Sequence, residues 1–128
     1  MVIDTDILID AARSDASALE FLRRLEPDYS KSISVITEME LIVGCRNKTE
    51  LRKLNGFLER FEVLQLSREI STTARDLLRA YRLSHGLLIP DALIAATCKT
   101  AGSALATKNQ ADFRFIKEIS LLGYTTPV

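Results

Sequence analysis

The sequence is poor in several residue types that particular kinds of protein need. It has one histidine, two cysteines and no tryptophan in 128 residues, and 17 basic residues balance 17 acidic ones. Cys45 and Cys98 lack CxxC spacing and nearby histidines, so they form no zinc motif, and we predict two buried free thiols on helices. The zero net charge argues against a protein that coats nucleic acid indiscriminately, because such binding depends mostly on neutralising phosphates.

Long apolar runs and targeting segments are missing as well. No run approaches the roughly 20 apolar residues that span a bilayer, and the N-terminus carries Asp4, Asp6 and Asp10 instead of a basic segment. There is no GxxxxGKS/T or GxGxxG phosphate-binding loop. We therefore expect a cytoplasmic protein that does not bind membranes. Its length predicts a single domain over residues 1–128 with one hydrophobic core.

The hydrophobic pattern predicts strands that alternate with helices. Short apolar or alternating runs predict strands at 1–3, 32–36, 61–66, 104–107 and 121–122. Helical spacing and capping residues predict helices at 7–12, 16–26, 37–47, 48–60, 67–81, 91–100 and 109–115. Such alternation is typical of a parallel sheet with helices on both faces. The predicted fold is a three-layer α/β/α domain around a central, largely parallel five-stranded sheet.

Four carboxylates stand at or near the starts of predicted helices: Asp4, Glu40, Asp91 and Asp112. In an α/β sheet, the carboxyl ends of the strands and the amino ends of the following helices share one edge, where ligands bind. Acids gathered there would repel one another without a cation. Mg²⁺ and Mn²⁺ prefer such oxygen ligands, and either ion can polarise a phosphodiester and activate water. This pattern indicates a metal site.

Each acid also has a purely local explanation. Asp4 could cap the first helix, and Glu40 could complete a capping box that Thr37 begins. Asp91 would complement the helix dipole in a first turn, and Asp112 has third-position spacing in a short helix. These local roles do not explain why all four acids fall on one predicted edge. A different nucleophile is disfavoured, because the only histidine is predicted in a solvated loop and neither cysteine has a base partner.

Four segments together resemble the motifs of the PIN domain family, and within it the VapC-type toxins of toxin–antitoxin pairs. They are Val2–Asp10, Ser34–Gly44, Gly86–Ala96 and Ala106–Phe113, in the family's order and covering nearly the whole chain. The third and fourth segments are the most specific. The sequence departs from the family at Asp6, where the family often has asparagine, and the added charge is expected to alter metal affinity without abolishing the site.

The resemblance implies a metal-dependent endoribonuclease. Asp4, Glu40, Asp91 and Asp112 would bind Mg²⁺ or Mn²⁺ directly or through water, and metal-activated water would attack the RNA phosphodiester in line. Supporting roles would fall to Asp6, Thr107 and Asn109. Basic residues that could touch RNA phosphates are Arg46, Lys48, Lys108 and Arg114.

The resemblance also implies two protein partners. Family toxins commonly form homodimers and are inhibited by an antitoxin, VapB-like in this case, whose C-terminal segment wraps the toxin. The apolar stripes on the helices at 16–26 and 48–60 are candidates for its groove, although core packing is the favoured interpretation for any single residue.

Two other classes of protein stay open. A catalytically silent protein-binding module could keep the fold without the activity. Alternatively, the Asp4-x-Asp6 pattern with Thr107 and Lys108 is shared with enzymes that form an aspartyl-phosphate on one acid.

Overall fold

In the computed structural model, which describes residues 1–25 and 30–124, a parallel sheet forms the centre of the protein. Its five strands are β1 (Val2–Ile3), β2 (Ser32–Ser34), β3 (Glu62–Leu64), β4 (Leu105–Ala106) and β5 (Leu121–Leu122). They lie in the order β3-β2-β1-β4-β5, and all four neighbouring pairs are parallel. The predicted α/β class and parallel sheet are confirmed.

The helices are α1 (Thr5–Ala12), α2 (Ala16–Leu25), α3 (Val35–Val43), α4 (Lys48–Leu58), α5 (Arg68–His85) and α6 (Ile89–Ala101). They cover the sheet on both faces. Successive residues of a strand point to opposite faces, so two neighbours in β1 contact different helices. Ile3 packs with α1, α2 and α4 in one buried apolar cluster, whereas its neighbour Val2 packs with α5 and α6 in another. The result is the predicted three-layer arrangement. Within the described ranges, no helix is long and apolar enough to cross a membrane.

The strand order creates a crevice beside β1. From β1 the chain moves outward through β2 to β3, and then returns to place β4 on the other side of β1. Such a reversal leaves an opening at the carboxyl ends of the central strands, the usual ligand site of open α/β sheets. Ile3 pairs with Ala106 in this register. Asp4 and Thr107, the next residue along each strand, therefore meet at the crevice.

The start of α3 differs from the prediction. Ser34, not Thr37, caps this helix, and its hydroxyl accepts a 3.0 Å hydrogen bond from the amide of Ile36. Strand β2 therefore ends two residues earlier than predicted. Thr37 is helical and fully buried, so the predicted capping box with Glu40 is wrong. This removes the local explanation for Glu40.

Other helix boundaries also differ from the prediction. Helix α5 continues through His85 and ends at Gly86, whose φ of 70° is the left-handed conformation common after a helix. His85 is therefore exposed at a helix end and does not lie in a loop. The short helix predicted at 109–115 is only a 3₁₀ turn, Gln110–Asp112. Cys98 is buried in α6 as predicted, whereas Cys45 lies half-buried beyond the end of α3.

Candidate active site

Asp4 occupies the crevice directly after β1 and is buried, with 7% of its surface exposed. One oxygen, Oδ1, accepts a 2.8 Å hydrogen bond from the amide of Thr5, so the residue does cap α1. The other, Oδ2, accepts a 2.8 Å bond from the hydroxyl of Thr107. Burial and the nearby charge of Asp6 raise the pKa of Asp4 to about 7. The Asp4 side chain can therefore cap α1 and belong to the site at the same time.

Asp91 faces the same crevice from the first turn of α6 and is half-buried. Burial is the main reason that its pKa is raised to about 6, and the carboxylates of Asp112, Glu40 and Asp6 contribute to this rise. Asp91 in turn contributes to the raised pKa of Asp4. The structure therefore brings three predicted acids from separate parts of the chain, Asp4, Glu40 and Asp112, each within electrostatic reach of Asp91.

Glu40 projects from α3 and is exposed. The Thr5 hydroxyl lies 2.8 Å from Glu40 Oε1 and 3.0 Å from the Thr37 hydroxyl. An ionised carboxylate can only accept, so the Thr5 proton serves Glu40. Thr5 holds Glu40 toward Asp4, a role that the sequence did not predict. The only sign of this role in the sequence is that a threonine directly follows the first acid.

The fourth acid lies on a loop that Asp6 holds in place. Asp6 Oδ2 accepts a 2.8 Å hydrogen bond from the Asn109 amide, and its two oxygens each lie 3.2 Å from the Lys108 amide. The Asn109 side chain in turn donates to Asp112 Oδ2 at 3.0 Å. Asp6 therefore fixes the backbone that leads to Asp112.

The four predicted RNA-contacting residues are placed differently from one another. Arg46 forms an ion pair with Glu50 at 2.9 Å, and Lys108 forms one with Asp10 at 2.7 Å. Lys48 and Arg114 are both exposed, the first at the start of α4 and the second just beyond Asp112. Arg114 meets two conditions among these four residues. It lies close to an acid, Asp112, and its side chain forms no ion pair with a described residue.

The acids fit a hard divalent cation by donor type and by charge. Hydrogen bonds to Thr107, Thr5 and Asn109 hold three carboxylates in place, and the raised pKa values of two acids reflect crowded negative charge that a cation would relieve. Among residues 1–25 and 30–124, no three acidic, histidine or cysteine side chains are close enough to form a complete metal-binding group. A cation held here would therefore keep several of its waters, as Mg²⁺ usually does.

A groove of about 780 Å³ lies beside the acids, between α1, α3 and α4. Its apolar lining includes Ile9, Ala12, Leu41, Cys45 and Phe57, and Glu40 is also part of its wall. The stripe predicted on the helix at 48–60 is Leu51, Leu54, Leu58 and Phe61, and the last three are buried. Leu54 is the member of this stripe that lines the groove, together with Phe57 from outside the stripe.

Helix α2 takes no part in that groove. Its predicted stripe consists of Ala18, Phe21, Leu22 and Leu25, all of which are buried in the core. Core packing is therefore the correct interpretation for that helix.

The fold and the site together define an α/β protein whose parallel sheet has acids at its strand reversal. The PIN domain family model matches residues 1–118, and the chain belongs to this family. It is 33% identical over 120 residues to Ribonuclease VapC10 of Mycobacterium tuberculosis, covering 93% of this chain and 90% of that protein. It is also 33% identical over 126 residues to Ribonuclease VapC1 of Methanocaldococcus jannaschii, covering 97% and 86%.

The fold agrees with this family membership. The crystal structure of VapBC2 from Rickettsia felis, bound to a DNA fragment from their promoter, contains a chain that superposes with a TM-score of 0.82. The sequence identity is 27%, and the alignment covers 95% of this chain and 96% of that one.

Proposed function

We propose that the protein is a VapC-type endoribonuclease, the toxin of a toxin–antitoxin pair, that uses Mg²⁺ or Mn²⁺ to hydrolyse RNA phosphodiesters. The observation that carries the proposal is the convergence of Asp4, Glu40, Asp91 and Asp112 on one crevice, where two of them have raised pKa values. The similarity to two proteins named VapC ribonucleases supports the substrate class.

In this proposal the four acids hold the cation directly or through water, and the neighbouring residues position them. The bound ion would polarise the phosphodiester and lower the pKa of an attacking water. Thr107 fixes Asp4, Thr5 fixes Glu40, and Asn109 fixes Asp112. The acids must be ionised to hold the ion, so protons compete with the metal, and activity at limiting metal should fall as the pH is lowered.

The aspartyl-phosphate alternative would make Asp4 the nucleophile. The two similar proteins are both named ribonucleases, which supports phosphodiester hydrolysis instead.

Cleavage of a mixed RNA pool by the purified chain tests the proposal, with Mg²⁺, with Mn²⁺ and with EDTA. The protein should cut only with metal, and Asp91→Asn should reduce the rate at least about a hundredfold, since removing even a supporting residue of a metal site costs 10- to 100-fold. Asp76→Asn is a matched control at an exposed position of α5, where Asp76 pairs with Arg79 at 3.5 Å. Cleavage by Asp91→Asn at the wild-type rate would overturn the assignment. Partner binding without any metal-dependent cleavage would instead support the catalytically silent module.

The proposal includes a VapB-like antitoxin as a partner, because the similar chain from Rickettsia felis was crystallised as part of VapBC2. The groove between α1, α3 and α4 is its proposed binding site, since the groove is lined by apolar side chains and by Glu40. Ile9→Glu should weaken the complex with a co-expressed antitoxin. Leu19→Glu, on α2 and outside the groove lining, places the same charge on a comparably exposed side chain, 43% against 36%, and should leave binding unchanged.

The proposal also includes a homodimer. Helix α3 packs against α6, and together they expose apolar side chains, Met39 and Val43 on α3 with Leu88 and Ile89 at the start of α6. Val43 is 84% exposed, and burying such a surface against a second copy would be favourable. Val43→Lys should shift the protein toward monomer in sedimentation equilibrium. Leu83→Lys, at a fully exposed leucine on α5, should leave the mass unchanged.

A further inference from the structure

An aromatic cluster on the surface joins the end of α5 to the segment that follows the 3₁₀ turn. The His85 ring stacks on the Phe115 ring, with centroids 4.4 Å apart and planes 10° from parallel. The Tyr81 ring lies 5.5 Å from the Phe115 ring, and its hydroxyl donates to Glu118 at 2.8 Å. Phe115 and Tyr81 are half-buried, whereas His85 is exposed. The protein therefore covers the Phe115 side of the stack, and the His85 side is exposed to solvent.

Both halves of this cluster lie close to the acids along the chain. Phe115 follows Asp112 by three residues, and His85 precedes Asp91 by six, across Gly86, where α5 ends, and Ile89, where α6 begins. Three residues span at most about 10 Å, so the Phe115 backbone lies within that distance of Asp112. Arg82 fixes the connection from the other side, because its guanidinium donates to the carbonyls of Gly86 and Leu87 at 2.9 and 3.2 Å.

Positive charge flanks the stack. Arg114 and Lys117 lie on either side of Phe115 along the chain, both are exposed, and neither side chain forms an ion pair with a described residue. A neighbouring negative charge, Glu118, already accepts the Tyr81 hydroxyl. Sites for single-stranded nucleic acid commonly combine aromatic rings that stack on bases with cations that follow the backbone.

We propose that the His85–Phe115 stack is a base-binding subsite, on which an unpaired RNA base next to the scissile phosphate lies against the exposed imidazole. Arg114 and Lys117 contact the phosphates on either side of that base. The inference rests on the proposed ribonuclease function, and it deepens that function by naming the part of the substrate that is recognised, a stacked base in single-stranded RNA. His85 and Phe115 are positioning residues in this scheme, because they hold the strand and do not act on the reacting atoms.

Because the sequence has no tryptophan, His85→Trp creates a single fluorescent reporter at the subsite. We would titrate it, in the Asp91→Asn background to prevent cleavage, with a short single-stranded oligoribonucleotide. The tryptophan emission should be quenched saturably. An abasic strand of the same length carries the same charge without bases and should not quench it. Leu83→Trp, about 200° around α5 at a fully exposed position, should not be quenched by either strand.

Binding and kinetics provide the second readout. His85→Ala should weaken oligoribonucleotide binding at least about fivefold, the lower end of the effect of losing one stacked base, and should raise KM more than it lowers kcat. His85→Phe should restore the affinity, because it restores an aromatic face. If His85→Ala lowers the urea midpoint and His85→Phe restores that midpoint but not the affinity, the stack only attaches α5 to its neighbour and the proposal is wrong.

The outcome is separable from that of the nuclease assay. Wild-type protein that cleaves RNA, combined with no base-dependent quenching at position 85, would overturn the subsite and leave the proposed function standing. Quenching that requires bases, in a protein whose wild-type form cleaves no RNA under any metal condition, would support the subsite and overturn the nuclease.

Discussion

The Thr107 hydroxyl donates a 2.8 Å hydrogen bond to Asp4 Oδ2, and this buried bond joins residues 103 positions apart in the sequence. Each residue is the first after its strand, β4 and β1, and these strands pair in parallel at the centre of the sheet. The bond lowers the pKa of Asp4, against the upward effects of burial and of the neighbouring acids. Thr107 therefore helps to keep the carboxylate ionised near neutral pH.

Thr107→Val is nearly isosteric and removes only the donor. The pKa of Asp4 should rise above about 7, so the acidic limb of the activity profile should move to higher pH. Leaving Oδ2 of the buried Asp4 carboxylate without this donor should also lower the free energy of unfolding at neutral pH by about 1–3 kcal/mol. Rates between pH 5.5 and 9 and urea denaturation test both effects. Thr107→Ser keeps the hydroxyl and should behave like wild type. An unchanged pH profile in Thr107→Val would show that the bond does not tune Asp4.

Without metal, the protein should become less stable as pH rises from 5.5 to 8. The pKa of Asp4 is about 7 and that of Asp91 about 6 in the folded state, against about 4 in the unfolded chain. Between these values the folded state holds more protons than the unfolded one. The stabilisation that these two acids contribute is therefore fully present below pH 4, and it is lost as the pH rises through 6 to 7. The loss from Asp4 should be on the order of 2 kcal/mol over this interval, and the half-buried Asp91 should add less.

Urea denaturation in EDTA at pH 5.5 and 8 measures this loss. Asp4→Asn cannot ionise and should flatten the dependence. Adding Mg²⁺ or Mn²⁺ should restore stability more strongly at pH 8 than at pH 5.5, because cation binding competes with protons for the acids. Equal stabilisation by metal at both pH values would argue that the ion does not bind at Asp4 and Asp91.

The parts that the sequence predicted well depend on strand ends. Asp4 follows a short apolar run and Asp112 follows another, and the alternation of strands and helices required a parallel sheet with its ligand edge there. The structure has that sheet and places the acids within electrostatic reach. Topology alone is enough to bring together residues that are about a hundred positions apart.

The parts that the sequence did not predict depend on which of several similar side chains makes a contact. Ser34 and Thr37 are both good caps, and only the buried position of Thr37 decides between them. Helices α2 and α4 carry similar apolar stripes, yet one is wholly buried and the other partly lines a groove. Periodicity reports that a face is apolar, but not what covers it.

Asp6 should matter for its hydrogen bonds more than for its charge. Asp6→Asn keeps an oxygen for the Asn109 amide and removes one negative charge near Asp4 and Asp91. The pKa of both acids should fall, so activity should persist to lower pH than in wild type. Asp6→Ala removes the carboxylate that accepts from the Lys108 and Asn109 amides before Asp112, and it should reduce cleavage about 10- to 100-fold.

Rate profiles from pH 5 to 8, at saturating Mn²⁺ so that altered metal affinity does not dominate, separate these two effects. Equal losses in Asp6→Asn and Asp6→Ala would show that the charge itself is needed.

Glu40 and Glu38 provide a comparison within one helix. They are two residues apart in α3, which places them about 200° apart around its axis, and only Glu40 is held by the Thr5 hydroxyl. Glu40→Gln keeps an oxygen for that hydrogen bond but binds a cation weakly. Cleavage should fall at least about a hundredfold, while the urea midpoint stays within experimental error because Glu40 is exposed. Glu38→Gln removes the same charge from the same helix and should cut RNA at close to the wild-type rate. Comparable losses in both variants would indicate that α3 contributes general negative charge and not a specific ligand.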